Sequence, residues 1–122
     1  DVDGTTVSVL GIAFKANTDD TRESPALEVM KRLVAKGAKV KAYDPAVTSV
    51  ELDGVEVVGD AYSACEGASA IVIATEWDDF KWLDLDRIAD VVTARNVVDA
   101  RNLLDRGALR RRGFTYQGVG RN

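Results

Sequence analysis

A long charged loop follows the first apolar segment of the chain, between Gly11 and Pro25. It carries Lys15 and Arg22, seven positions apart, with the pair Asp19-Asp20 between them. Lysine offers a point charge and arginine a planar fork, and both suit an anion such as phosphate. One interpretation is an anion site formed by the two cations. The other is a surface network in which the aspartates pair with them.

The length and place of this loop favour the anion site. Connections from a strand to a helix in α/β units are usually about 2–6 residues long, and this loop is roughly twice that length. Open α/β sheets bind their ligands at the carboxyl ends of the strands, which is where the loop begins. Neither the glycines and Lys-Ser/Thr of a P-loop nor the dinucleotide glycine fingerprint is present.

Further candidate residues lie at or just beyond the ends of three predicted strands. Arg101 is expected at the same face of the sheet as Lys15, as an anion ligand or as an ordinary surface arginine. Asp44 stands where a dinucleotide fold places its ribose-binding acid, but without the fingerprint it favours a strand-ending Asp-Pro turn. Glu76-Trp77, with Phe80 and Trp82 nearby, either offers rings for stacking or an interface, or simply packs in the core.

Other chemistries find little support in these residues. Asp19-Asp20 suggests a metal site only weakly, because no third ligand is apparent, and a role in helix entry or in ordering the loop is preferred. The chain has no histidine and one cysteine, Cys65, so neither a structural zinc site nor an activated Cys-His pair is expected. Cys65 is expected to be buried. We assign no catalytic residue and no metal ligand.

Composition describes an ordinary globular domain. The 122 residues are 46% hydrophobic with a net charge of −4, and the 16 basic residues are scattered, which argues against nucleic-acid binding. No apolar run approaches the length of a membrane span. The first residue is Asp1 rather than methionine, which is typical of a piece of a longer polypeptide, although processing would give the same start.

Strand and helix patterns alternate along the whole chain. Apolar or alternating segments predict six strands: Val7–Ile12, Lys39–Tyr43, Val55–Val58, Ala70–Ala74, Asn96–Asp99 and Phe114–Gln117. Amphipathic spacing and capping residues predict four helices: 25–36, a short helix that Asp60 caps and that runs to about Glu66, Leu85–Val91 and Leu103–Arg112. This order predicts an α/β fold, a doubly wound, mainly parallel Rossmann-like sheet, in a single domain over residues 1–122.

The motifs together resemble the C-terminal, nucleotide-sugar-binding domain of the UDP-glucose/GDP-mannose dehydrogenase family. The resemblance covers nearly the whole chain. Its residues are Gly11-Ile12-Ala13-Phe14-Lys15, Asn17-Thr18-Asp19-Asp20-Thr21-Arg22-Glu23-Ser24, Tyr43-Asp44-Pro45, Thr75-Glu76-Trp77, Asp99-Ala100-Arg101-Asn102 and Gly113-Phe114-x-Tyr116-x-Gly118-x-Gly120-Arg121. Glu76-Trp77 and the final segment are similar to the UDP-glucose 6-dehydrogenase branch. The Ala100 position departs from the family's Asp-Gly-Arg.

The resemblance implies roles for four residues. Phe14, Lys15 and Arg101 would bind the UDP-sugar, and Arg22 would reach the NAD side. The implied enzyme oxidises UDP-glucose to UDP-glucuronate with two NAD⁺. Its NAD-binding and catalytic domains lie outside these residues, and Cys65 does not match the catalytic cysteine.

The same resemblance implies a cytoplasmic enzyme that forms a homo-oligomer, with UDP-glucose and NAD as its partners. Two alternatives stay open. One is the same domain of a GDP-mannose or UDP-N-acetylmannosamine dehydrogenase. The other is a free-standing nucleotide-binding module without catalysis.

Overall fold

Six parallel strands form the centre of the molecule. The structure is a computed structural model that describes residues 2–118. The strands are β1 (Thr6–Leu10), β2 (Lys39–Tyr43), β3 (Val55–Val57), β4 (Ala70–Ile73), β5 (Asn96–Asp99) and β6 (Thr115–Gly118). They lie in the order β3-β2-β1-β4-β5-β6, and every neighbouring pair is parallel. The predicted doubly wound α/β fold is confirmed.

Four α-helices connect the strands: α1 (Pro25–Ala35), α2 (Ala61–Cys65), α3 (Leu85–Val91) and α4 (Arg106–Arg111). The first follows its sequence signals closely. Ser24 caps it by accepting a hydrogen bond from the amide of Ala26, Pro25 takes the first turn, and Gly37 follows with φ +92°. No helix among residues 2–118 is long and apolar enough to cross a membrane.

Apolar side chains fill both faces of the sheet. Val9 belongs to the core cluster that contains Met30 of α1, and its neighbour Leu10 belongs to the cluster that contains Ile88 of α3 and Leu109 of α4. Successive residues of a strand point to opposite faces, so one strand supplies both layers. The continuous apolar sequence of β1 and β4 follows from this two-sided burial.

Three local features differ from the sequence prediction. A 3₁₀ helix, Asp78–Trp82, occupies a stretch expected to be irregular. Helix α4 begins at Arg106 rather than Leu103, because Asp105 caps it by accepting from the amide of Ala108. Strand β1 ends at Leu10 because Gly11, at φ +102°, turns the chain out of the sheet.

Candidate functional site

The carboxyl ends of three adjacent strands meet at one edge of the sheet. Leu10 of β1 is in register with Ile73 of β4, which is in register with Asp99 of β5. Loops 11–24, 74–77 and 100–105 leave from these ends, and we call this region the carboxyl edge. Strands β1 and β4 are also where the winding of the sheet changes direction, so the edge is the ligand position expected for such a sheet.

The first two of these loops touch each other directly. A Cβ at Gly11 would lie 2.5 Å from the side chain of Thr75, so only glycine fits there. Thr75 is 1% exposed, and its Oγ1 donates to the carbonyl of Ala13 at 2.9 Å. The chain is therefore fixed immediately before Phe14 and Lys15.

Asp44 fixes the same segment from the other side. Its carboxylate is 3% exposed, and Oδ2 accepts from the amides of Ile12 at 2.7 Å and Ala13 at 2.9 Å. The same oxygen accepts from Nε1 of Trp77 at 3.1 Å. Its Oδ1 accepts from two amides of the following Asp-Pro turn, Ala46 and Val47. Both oxygens are thus committed, which supports the predicted turn and argues against a ribose-binding acid.

Phe14 and Lys15 are exposed and directly follow the segment 11–13 that Thr75 and Asp44 fix. The ring of Phe14 is 49% exposed, which is unusual for a large apolar side chain in this molecule. Lys15 is exposed, and within residues 2–118 its ammonium has no ion-pair or hydrogen-bond partner. A free ammonium on a rigid base is suited to an anionic ligand.

Arg22 behaves differently from Lys15. Its Nε and Nη2 donate to the two carboxylate oxygens of Asp20 at 3.0 and 2.9 Å, although its side chain is 88% exposed. This guanidinium holds the pKa of Asp20 down at about 2. The amide of Phe14 donates to the carbonyl of Asp20, which closes the loop. The surface-network interpretation thus describes Arg22 with Asp20, and the loop-ordering role expected for the acidic pair is confirmed at Asp20.

Arg101 also has a carboxylate partner. Its Nε and Nη2 both contact Oε2 of Glu76, a residue of the loop after β4. Its backbone amide donates to Oδ1 of the buried Asp99 at 3.1 Å. The other Asp99 oxygen accepts from the amides of Leu103 and Leu104 and from the hydroxyl of Tyr116. Arg101 is therefore held at its backbone and at its guanidinium.

The aromatic residues after β4 divide into two kinds. Trp77 is 8% exposed and Phe80 is 1% exposed, so for these two the packing interpretation is confirmed. Trp82 is 82% exposed. None of the three supplies a stacking surface beside Lys15 in a contact that the structure describes.

Cys65 lies in the core, away from the carboxyl edge. It is fully buried, and its thiol contacts the hydroxyl of Ser8 at 3.6 Å. Burial raises its pKa to about 11, so it is protonated at neutral pH. The expectation of a buried cysteine is confirmed.

Sequence reasoning gave no supporting role to Thr75 or Asp99, and it underestimated Asp44. All three are buried polar residues at or within two positions of the end of a strand. A buried polar side chain there needs hydrogen-bond partners, and backbone groups of the loops provide them: amides for Asp44 and Asp99, and the carbonyl of Ala13 for Thr75. A polar residue close to the end of a predicted strand is the sequence signal that could have identified Asp44, Thr75 and Asp99.

The chain is similar to known proteins along nearly its whole length. The UDP-binding domain model of the UDP-glucose/GDP-mannose dehydrogenase family matches residues 8–106. UDP-glucose 6-dehydrogenase from Rhizobium meliloti (strain 1021) is 39% identical over 99% of this chain and 28% of that protein. The NDP-N-acetyl-D-galactosaminuronic acid dehydrogenase of Methanosarcina mazei Go1 superposes with a TM-score of 0.88 at 30% identity, over 99% of this chain and 26% of the other.

A UDP-glucose dehydrogenase from Pyrobaculum islandicum gives a TM-score of 0.75 at 32% identity, over 96% of this chain and 26% of that one. The chain thus spans little more than a quarter of each of these three proteins. The match of the family model agrees with the motifs at the carboxyl edge, while Gly120-Arg121, at the end of the last motif, lies outside the described residues. The chain belongs to the UDP-glucose/GDP-mannose dehydrogenase family and corresponds to its UDP-binding domain.

Proposed function

We propose that residues 1–122 form the nucleotide-sugar-binding domain of a UDP-glucose 6-dehydrogenase, which oxidises UDP-glucose to UDP-glucuronate with two NAD⁺. The observation that carries this proposal is Lys15, an exposed ammonium without a partner in residues 2–118, in the loop that follows the central strand β1. The full enzyme is proposed to be a cytoplasmic homo-oligomer.

The chain's own contribution is binding and orientation. Lys15 and Arg101 lie in the loops after β1 and β5, whose carboxyl ends are about two strand spacings apart, roughly 10 Å. Long cationic side chains from loops at this spacing are suited to reach the two phosphates of one diphosphate. Phe14, exposed beside Lys15, would cover an apolar part of the ligand. The aliphatic stems and the ring also exclude water from the charged contact, which strengthens it.

NAD is proposed to bind mainly to a domain outside these residues. The chain lacks the glycine fingerprint, and the oxygens of Asp44 accept five hydrogen bonds from protein donors: Ile12, Ala13, Ala46, Val47 and Trp77. A complete dinucleotide site therefore does not fit this chain. The bound NAD would accept the hydride, and Arg22 would face it from the far end of the loop.

Arg22→Ala in the full polypeptide should raise the KM for NAD more than the KM for UDP-glucose. The guanidinium is 88% exposed, so its loss should leave the fold intact. Steady-state kinetics with each substrate varied in turn would measure both constants. A KM that rose for UDP-glucose alone would contradict the assignment.

Lys15→Ala is the test of the proposed function. A charge-assisted contact to phosphate is worth about 1.5–3 kcal/mol, so UDP-glucose affinity should fall roughly 10- to 150-fold. Calorimetric titration of the full polypeptide at fixed ionic strength would measure it. Lys36→Ala removes another exposed lysine, at the C-cap of α1, and should leave the affinity unchanged.

Two outcomes would count against the proposal. One is a folded Lys15→Ala protein that binds UDP-glucose as tightly as the unmodified protein. The other is tighter binding of GDP-mannose or UDP-N-acetylmannosamine than of UDP-glucose. The second outcome would keep the nucleotide-sugar site and change the substrate.

A further inference from the structure

Glu76 holds one edge of the Arg101 guanidinium. Both Nε and Nη2 of the arginine contact the same oxygen, Oε2 of Glu76. Nη1 has no hydrogen-bond partner within residues 2–118. The Glu76 contact therefore fixes the direction of the side chain and leaves Nη1 of the guanidinium available to a ligand.

Glu76 itself stands on a rigid segment. Its two neighbours in sequence, Thr75 and Trp77, are almost fully buried. Thr75 is bonded to the carbonyl of Ala13 and Trp77 to the carboxylate of Asp44. The backbone of Glu76 is therefore tied to the same loop that presents Lys15.

The ion pair is poorly placed to stabilise the fold. The side chains of Arg101 and Glu76 are 41% and 37% exposed, and pairs this accessible to water contribute little to stability. Its main effect is geometric, because Arg101 would otherwise have to lose the freedom of a long side chain when a ligand binds.

We propose that Glu76 is a positioning residue for nucleotide-sugar binding. It holds Arg101 in place before the ligand arrives, so that the guanidinium and the ammonium of Lys15 present a preformed pair of contacts to a diphosphate. This inference rests on the proposed function of the carboxyl edge. It adds a residue that touches the arginine rather than the ligand.

The same contact has an opposite interpretation that experiment can separate from this one. Glu76 could compete with the phosphate for Arg101, in which case removing its negative charge would tighten binding. Positioning predicts weaker binding although the charge removed is repulsive to the ligand. The sign of the change in affinity therefore decides between the two.

The experiment is a titration of UDP into the full polypeptide and its variants. Glu76→Ala should raise the Kd of UDP about five- to tenfold with an unchanged melting temperature. Glu76→Gln keeps an acceptor oxygen at the same reach and should recover part of that loss. Asp78→Asn removes an exposed charge that pairs with Lys81 in the same segment, and should leave the Kd unchanged.

A double-mutant cycle with Arg101→Ala tests whether Glu76 acts through the arginine. In the Arg101→Ala background, Glu76→Ala should no longer weaken UDP binding, and its Kd should stay the same or fall slightly because only the repulsion of the carboxylate is removed. A purely structural role would give the same loss in both backgrounds and would overturn the proposal. Equal or tighter binding by Glu76→Ala alone would also overturn it.

Failure of the proposed function would look different. A wild-type polypeptide that bound no UDP at all would overturn both the proposed function and this inference. Wild-type binding with an unchanged or stronger Glu76→Ala complex would leave the domain's function in place and overturn only the role of Glu76.

Discussion

Two buried carboxylates, Asp44 and Asp99, stand on either side of the central pair β1 and β4. Asp44 directly follows β2, and Asp99 ends β5. Both are almost inaccessible to solvent, at 3% and 0% exposed, and both accept hydrogen bonds from several donors. Asp44 accepts from residues more than thirty positions away, in the loops after β1 and β4. Asp99 accepts mainly from the next five residues of its own loop.

Asp44 and Asp99 therefore stabilise the carboxyl edge in two different ways. Asp44 joins loops that the sequence keeps far apart, so its loss should loosen the whole region under Lys15. Asp99 shapes one turn and accepts from Tyr116 of the neighbouring strand β6, so the effect of its loss should be confined to residues 101–104 and to that tyrosine. Buried donors left without acceptors are the common cause of the damage in both cases.

Asp44→Ala should give the largest effect. It leaves amides of two loops and the indole of Trp77 without their acceptor, and unfolding free energy should fall by about 3–5 kcal/mol. Urea denaturation would measure this fall. Asp53→Ala, at an exposed loop position, should change stability by less than about 0.5 kcal/mol. A loss below about 1 kcal/mol for Asp44→Ala would remove the contrast between the two carboxylates.

Asp99→Asn should have a smaller and more local effect. The asparagine oxygen can keep the side that accepts from Leu103, Leu104 and Tyr116, which places the amide NH₂ against the backbone N–H of Arg101. We expect a destabilisation of about 1–3 kcal/mol. The amides of 101–104 should exchange faster with solvent, while those of Ile12 and Ala13 do not change. Faster exchange at Ile12 and Ala13 would show that the two regions are not independent.

Protonation of Asp20 should have the smallest effect. This carboxylate also lies at the carboxyl edge, but its side-chain partner is an exposed arginine, Arg22. Its folded pKa of about 2 lies below its usual value of 3.8. Its contact with Arg22 therefore favours the folded loop above about pH 4 and is lost as the pH falls towards 2. Carbon NMR of the Asp20 carboxyl would follow this titration. In Arg22→Ala the midpoint should rise towards the usual value, and an unchanged midpoint would refute the pairing.

Local patterns predicted most of the fold. The apolar runs of β1 and β4 indicated central strands, and the Ser24-Pro25 start and Gly37 end of α1 are local signals that need no tertiary contact to be read. The position of Lys15 followed from the strand that precedes it. These features depend on neighbours in sequence, which is why one sequence was sufficient.

Long-range contacts could not be predicted in the same way. Asp44 and Trp77 are 33 positions apart, and nothing in either segment identifies the other as its partner. Asp20 pairs with Arg22 and not with Lys15, and this choice depends on the conformation of the loop, in which Glu23 takes φ +58°. The residue pattern gave Lys15 and Arg22 the same two interpretations, and only the folded loop distinguishes the two residues.

The buried indole of Trp77 also gives the molecule an internal optical reporter. The chain has two tryptophans, and Trp82 is 82% exposed whereas Trp77 is 8% exposed and bonded to Asp44. Iodide should quench the emission of Trp82 and leave that of Trp77. The protected, blue-shifted fraction would then record the integrity of the scaffold below Lys15, in the unmodified protein and without an added label.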